Sequence, residues 1–281
     1  MALITTGQPR RPRKGTRRLP AVKPPKSLEV EYRNAILRVN FYLKQQTNII
    51  SRMVSGEEDI ENVTAAIQAS LRDANQRYDV AASRMSSAMI RGMDERNKNL
   101  IQQSLRRAMG VDGATIIDSP EVKNLITTAT EENVALIKSI PEQHFAKVTR
   151  AVIDNYKGIK FEEGSLANRL KALGGISDRR AKFIARDQTA SLNGSLNQIR
   201  QQDVGIEGYF WRNSQDQRVV GAPGNPAKPN LKHMDHWVRE GRFYRWDKPP
   251  VDGHPGIPIN CRCFSEPAVD LKKINLSAIK L

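Results

Sequence analysis

From Ser27 to Gln202 the apolar residues return every third or fourth position, and after Gly205 they stop doing so. That change of period constrains the fold more than any other feature, because a 3.6-residue repeat dictates helices with one buried stripe. The first stripe is Leu28, Tyr32, Ile36, Val39, Tyr42 and Leu43, running to about Val54 and broken by Ser55-Gly56. A second is Ile60, Val63, Ile67, Leu71, Tyr78, Ala82, Met85, Met89 and Met93, continuing through Leu100, Ile101 and Leu105 to Gly110. A helix of about 50 residues exceeds globular norms, so a break near Gly92, a helical hairpin or an oligomer contact is expected. The methionines read as core filler rather than a binding surface. Ser119-Pro120 opens a third helix, expected to stop before Pro141, with residues 142–157 forming another. Short helices are expected at 165–173 and, capped by Ser177, at 177–202. No strand is expected between Ser27 and Gln202. His144 reads as a helix-surface or core residue.

Beyond Gly205 lie eight of the sixteen aromatic residues and eight of the fifteen prolines. Bursts such as GYFWRN, RFYRW and CRCFSEPAV alternate with Gly, Pro and Asn turns, the punctuation of short strands. The fold class expected is α+β: an elongated, mainly helical N-terminal region followed by a small, compact, β-containing C-terminal domain. The expected divisions are a basic disordered arm at 1–26, a helical region at 27–160 and a C-terminal domain at 161–281.

The arm carries Arg10, Arg11, Arg13, Lys14, Arg17, Arg18, Lys23 and Lys26, with no acidic residue before Glu29. These eight are over half of the chain's net charge of +15, and five prolines with little apolar surface oppose regular structure. The physical consequence of such charge is attraction to a polyanion, with nucleic acid ahead of a membrane surface or an acidic protein, and a solvated tail as the other alternative. No apolar run is long enough to span a bilayer and no secretory leader is expected, so the chain reads as cytosolic in origin.

Scarce, chemically capable residues concentrate between His233 and Cys263. This stretch holds three of four histidines, both cysteines and two of three tryptophans. On a strand, Cys261 and Cys263 point to one face and Arg262 to the other. His233, His236, His254, Cys261 and Cys263 contain enough donors for a tetrahedral zinc site, which would staple a small loop-rich unit. Against that, Cys-x-Cys is tighter than usual ligand spacing, no second pair exists, and five candidates compete for four places. Buried reduced thiols beside hydrogen-bonded histidines are the other reading. A Cys/His nucleophile built from His233, Asp235, His236 and Cys261 has only residue type behind it, with no nucleophile elbow or phosphate-binding loop. No catalytic residue is assigned.

The C-terminal part also resembles the Mu F-like family of phage head morphogenesis, or minor head, proteins. The features that carry the resemblance run in order: IARDQTASLNGSLNQIR (184–200); GIEGYFWRNSQDQRVV (205–220) with Trp211, Asp216, Arg218 and Val219; His236 followed by Gly241; PPVDGHPG with His254; then Asn260-Cys261-Arg262-Cys263 and Pro267. Where that family often shows Arg-Thr-Glu, this chain has Arg186-Asp187-Gln188. The resemblance implies a structural virion protein, not an enzyme. It would work at the portal vertex or capsid interior in capsid assembly and DNA packaging or delivery, and reside in the host cytoplasm during assembly. Implied partners are the portal protein, the capsid interior and packaged double-stranded DNA. The motif residues would hold the domain together, and Arg262 is expected to pair with a buried carboxylate such as Asp216. Alternatives are a zinc-dependent DNA-processing enzyme or a DNA-binding protein outside the virion.

Overall fold

The computed structural model describes residues 15–109, 115–116, 119–227, 234–270 and 279–280. Arg10, Arg11, Arg13, Lys14 and His233 lie outside the described residues. Four long helices come first: α1 (Lys26–Ser55), α2 (Ile60–Met109), α3 (Pro120–Tyr156) and α4 (Leu166–Asp203). The strands are β1 (Arg17–Arg18), β2 (Thr115–Ile116), β3 (Gly208–Arg212), β4 (Phe243–Arg245), β5 (Phe264–Val269) and β6 (Ile279–Lys280). The class is α+β, as expected, with an antiparallel four-strand sheet in the C-terminal part.

α1 ends at Ser55, as the Ser55-Gly56 break suggests, but the other three helices run further than the breakers in their sequences suggest. α2 passes through Gly92 unbroken. Glycine costs a helix about 1 kcal/mol relative to alanine, and burial of Met89, Ile90 and Met93 around it offsets that. α3 passes through Pro141 rather than stopping before it. Interior proline costs a helix about 3 kcal/mol, yet Ile137, Ile140, Phe145 and Val148 are all buried on the stripe that flanks it. α4 is one helix, not two. Ser177 does not cap it; its hydroxyl bonds back to the Leu173 carbonyl at 3.4 Å inside the helix. Gly174 has a packing role instead, since a Cβ there would sit 3.2 Å from the Lys44 side chain of α1. Local propensity lost to packing at all three places.

The chain divides into two compact units. One consists of residues 27–89 and 130–186. Here α2 folds back on α1: Tyr78 donates to Asn40 Oδ1 at 2.7 Å and Ser70 to Gln46 Oε1 at 3.1 Å, a descending register that marks an antiparallel hairpin. Polar ties fix the other two helices to it, one buried and one partly exposed. Tyr32 donates to Asn133 at 2.7 Å, and Lys44 pairs with Asp178. His144 is a core residue bridging Thr47 (2.7 Å) and Ser177 (2.9 Å), and burial pushes its pKa down to about 4.

The other unit gathers residues 1–26, 90–129 and 187–281. Its sheet has the order β1-β5-β3-β4, with Tyr209 opposite Pro267 of β5 and Tyr244 of β4. A second, two-residue pairing joins β2 to β6. This places a strand between Ser27 and Gln202, where none was expected. Two residues hold no alternation to read, and the partner is distant in sequence.

The expectation of a disordered arm fails for residues 15–25. Leu19 and Val22, the apolar residues it discounted, are buried in a cluster with Ile101, Leu105, Val204, Ile206 and Val269. Arg17 and Arg18 pair with Val269 and Ala268 of β5, and the Leu19 N–H donates to the Pro267 carbonyl at 3.0 Å. The Val22 carbonyl accepts from Asn193 (3.0 Å) and Asn197 (2.9 Å) of α4. Pro20, Pro24 and Pro25 suit such a segment, because an extended chain on a sheet edge needs few donors.

Candidate functional site

Alternation along β3 decides what meets under the sheet. Tyr209 and Trp211 share one face and are fully buried; Phe210 turns to the other, where it packs on Phe243 and beneath the Arg18 guanidinium at 4.0 Å. The Tyr209/Trp211 face forms a cluster with Tyr244, Trp246, Cys261 and Cys263. The histidines enter from loops. Gly241 has φ +71° and its N–H donates to the Trp211 carbonyl at 2.8 Å, which turns the His236 loop back along β3.

His236 Nδ1 lies 3.6 Å from Cys261 Sγ and 3.6 Å from Cys263 Sγ. All three residues are at most 5% exposed. On the far side of the ring, Nε2 is 2.7 Å from Asp252 Oδ2, and Asp252 is held in turn by Arg239 at 2.8 Å. The Arg239 guanidinium lies 4.7 Å over the Trp211 ring, and Trp211 meets His236 edge-on at 5.1 Å. Cys261 Sγ also accepts the backbone N–H groups of Gly256 and Cys263, each at 3.4 Å.

These contacts set the charges. Burial opposes the charged imidazole, but Asp252 and Cys261 outweigh it and push His236 up to about 9. Cys261 falls well below the usual thiol range, through the hydrogen bond from Cys263 and then His236, against burial. Cys263 rises, because it is buried beside that thiolate. The two backbone donors on Cys261 are the independent reason to put the negative charge there.

His254 is in the same unit but not in this group. Its Nε2 faces the Trp246 carbonyl at 3.1 Å and its Nδ1 faces the Tyr209 hydroxyl at 2.9 Å, so both ring nitrogens are committed. Burial pushes its pKa down to about 4. The loop that carries it packs against α4 backbone-to-backbone: a Cβ on Gly256 (φ +92°) would meet the Ala190 carbonyl at 2.7 Å, and one on Gly194 the Pro255 carbonyl at 2.6 Å. Asn260 adopts φ +62°, a left-handed conformation that asparagine tolerates better than most residues. Its N–H donates to Asp187 of α4.

The cysteines lie just before β5 rather than on a strand, and Arg262 between them bonds Asp216 Oδ2 through its Nε at 3.0 Å. Asp216 also accepts the Arg218 backbone N–H at 2.9 Å and pairs with the exposed Arg218 guanidinium. The carboxylate is 29% exposed, which weakens the pair. Asp216→Ala is expected to lower the unfolding free energy by about 1 kcal/mol, below the 1.5–3 typical of charged hydrogen bonds. Urea denaturation checks this; an unchanged midpoint would show that the contact contributes nothing.

Of the five proposed metal ligands, then, three converge, His254 is engaged elsewhere and His233 is not among the described residues. Asp252 and Arg239 were missed. Arg239 falls three residues after His236, but an aspartate and an arginine in a charged loop look like solvated surface until the fold buries them.

Residues 146–266 match the family model described as Phage Mu protein F like protein. A curated protein of Haemophilus influenzae, itself described as an uncharacterized protein, is 29% identical over 267 residues. The match covers 90% of this chain and 56% of that relative, so the chain spans little more than half of the relative's length. No solved structure matches. The matched span runs from the second half of α3 through the cysteine pair and into β5, so the resemblance read from the C-terminal motifs stands: residues 146–266 are a Phage Mu protein F-like region.

Proposed function

We propose that the chain is a minor head protein of a phage, acting in capsid assembly and in packaging or delivery of double-stranded DNA. The observation that carries this reading is the family match over residues 146–266, a family that points to phage head morphogenesis. The portal vertex or capsid interior is the proposed place of action, with portal protein as the partner. No reaction is assigned to the chain. Among the described residues no helix is long and apolar enough to cross a membrane.

The basic N-terminal segment is the proposed DNA contact. Arg17, Arg18, Lys23 and Lys26 are exposed, and Arg10, Arg11, Arg13 and Lys14 precede them in sequence. Eight phosphate contacts would weaken binding roughly 10⁴-fold between 50 and 200 mM salt. Removing residues 1–26 is a poor test, because Leu19 and Val22 belong to the core. Substituting Arg10, Arg11, Arg13 and Lys14 by glutamine is expected to reduce the log–log salt slope of duplex binding by about 3 to 4. An unchanged slope rejects these four residues as DNA contacts. Co-expression with the cognate portal protein tests the larger reading: the two are expected to co-purify, and failure to do so in assembly-competent extracts would overturn portal binding.

A further inference from the structure

We propose that His236, Cys261 and Cys263 form a zinc site, with Nδ1 and the two thiolates as ligands and Asp252 orienting the histidine. The three ligand atoms lie within 4.8 Å of one another. Zinc bonds of about 2.0–2.1 Å to nitrogen and 2.3 Å to sulfur give a tetrahedron an N···S edge of about 3.6 Å. Both N···S distances here are 3.6 Å.

Hydrogen bonding explains that symmetry less well. Nδ1 has one lone pair or one proton, so serving two sulfurs equally would need a weakened three-centre hydrogen bond. One ion bonded to all three atoms accounts for both distances together. The other ring nitrogen meets Asp252 at 2.7 Å, the carboxylate–histidine pairing that fixes a metal-binding tautomer, and Arg239 anchors the carboxylate at 2.8 Å. Backbone N–H groups of Gly256 and Cys263 aimed at Cys261 Sγ stabilise a thiolate whether or not it is bound. Two thiolates and an imidazole select a thiophilic ion over magnesium or calcium.

The charge balance closes. Zinc entering as a dication displaces to solvent whatever protons the two thiols and Nδ1 carry. Two thiolates then face the ion's two positive charges, while Asp252 faces Arg239. Three protein donors leave one tetrahedral position for water or an external ligand. His254 takes no part, since both its nitrogens are engaged.

The test uses the full-length chain, expressed in zinc-supplemented medium and purified without chelator. Metal analysis is expected to give about one zinc per chain, and His254→Gln is expected to retain it. Cobalt(II) exchanged into the site is expected to show a sulfur-to-cobalt charge-transfer band that His236→Ala lacks. Asp252→Asn is expected to weaken zinc affinity roughly 10–100-fold while keeping the band. Because a cysteine variant can simply fail to fold, the deciding measurement is on the unmodified protein. A folded sample with below about a tenth of a zinc per chain and no charge-transfer band with cobalt overturns the proposal and leaves a metal-free thiolate–imidazolium pair. That outcome does not bear on the phage head reading, which stands on the family match.

Discussion

Replacing Trp211 by alanine is expected to lower the unfolding free energy by about 3–5 kcal/mol, among the largest effects of any single substitution in this chain. The indole is completely buried at the centre of the aromatic cluster. It contacts His236, Tyr244 and the Arg239 guanidinium, so its removal leaves a cavity lined by groups fixed from three directions. β3 cannot relax into that space, being paired on both edges with β4 and β5. Trp211→Phe, which keeps most of the volume, is expected to cost roughly half as much. Urea denaturation followed by circular dichroism measures both without relying on the deleted fluorophore. A loss under about 1 kcal/mol for Trp211→Ala would mean that the cluster is not the core of its unit.

The second large effect concerns Asp94 and Arg200. The Arg200 side chain is fully inaccessible, while that of Asp94 is 22% exposed. Arg200 pairs with the Asp94 carboxylate and donates to the Asp94 carbonyl and to Asn97 Oδ1, each at 3.1 Å. Asp94→Ala removes the counter-ion of a buried guanidinium and is expected to cost about 3–5 kcal/mol. Arg200→Met leaves a carboxylate that water can reach, so it is expected to cost less, nearer 2 kcal/mol. In the double variant the charge penalty is absent, and much of the Asp94→Ala loss is expected to return. Equal costs for the two single variants would show that burial of the arginine is not the controlling factor.

The helices were legible and their ends were not. Of the first stripe, Tyr32, Ile36 and Leu43 are buried, whereas Leu28, Val39 and Tyr42 are half-buried and the polar Asn40 and Thr47 take places on the buried face. Gly92, Pro141 and Gly174-Gly175 read locally as breaks, but each carries a penalty of a few kcal/mol at most. Buried neighbours on both sides outweigh it, and no local window contains them. The N-terminal segment failed for the same reason: Leu19 and Val22 look negligible among eight cations until a core 80 to 250 residues away supplies their partners.

At the candidate site, residue types alone marked the stretch from His233 to Cys263 and put both thiols on one side of Arg262, because side chains alternate along an extended chain. The ordered motifs were enough to point to the region, residues 146–266, that matches the Phage Mu protein F like family model. Tertiary structure decided the rest. It separated His236 from His254 by committing both His254 nitrogens elsewhere. It also drew Asp252 and Arg239 out of a charged loop to support His236. Which histidine meets the thiols depends on the φ values at Gly241, Gly256 and Asn260 and on the contact between Gly256 and α4. Those are long-range geometric facts, and spacing along a chain does not contain them.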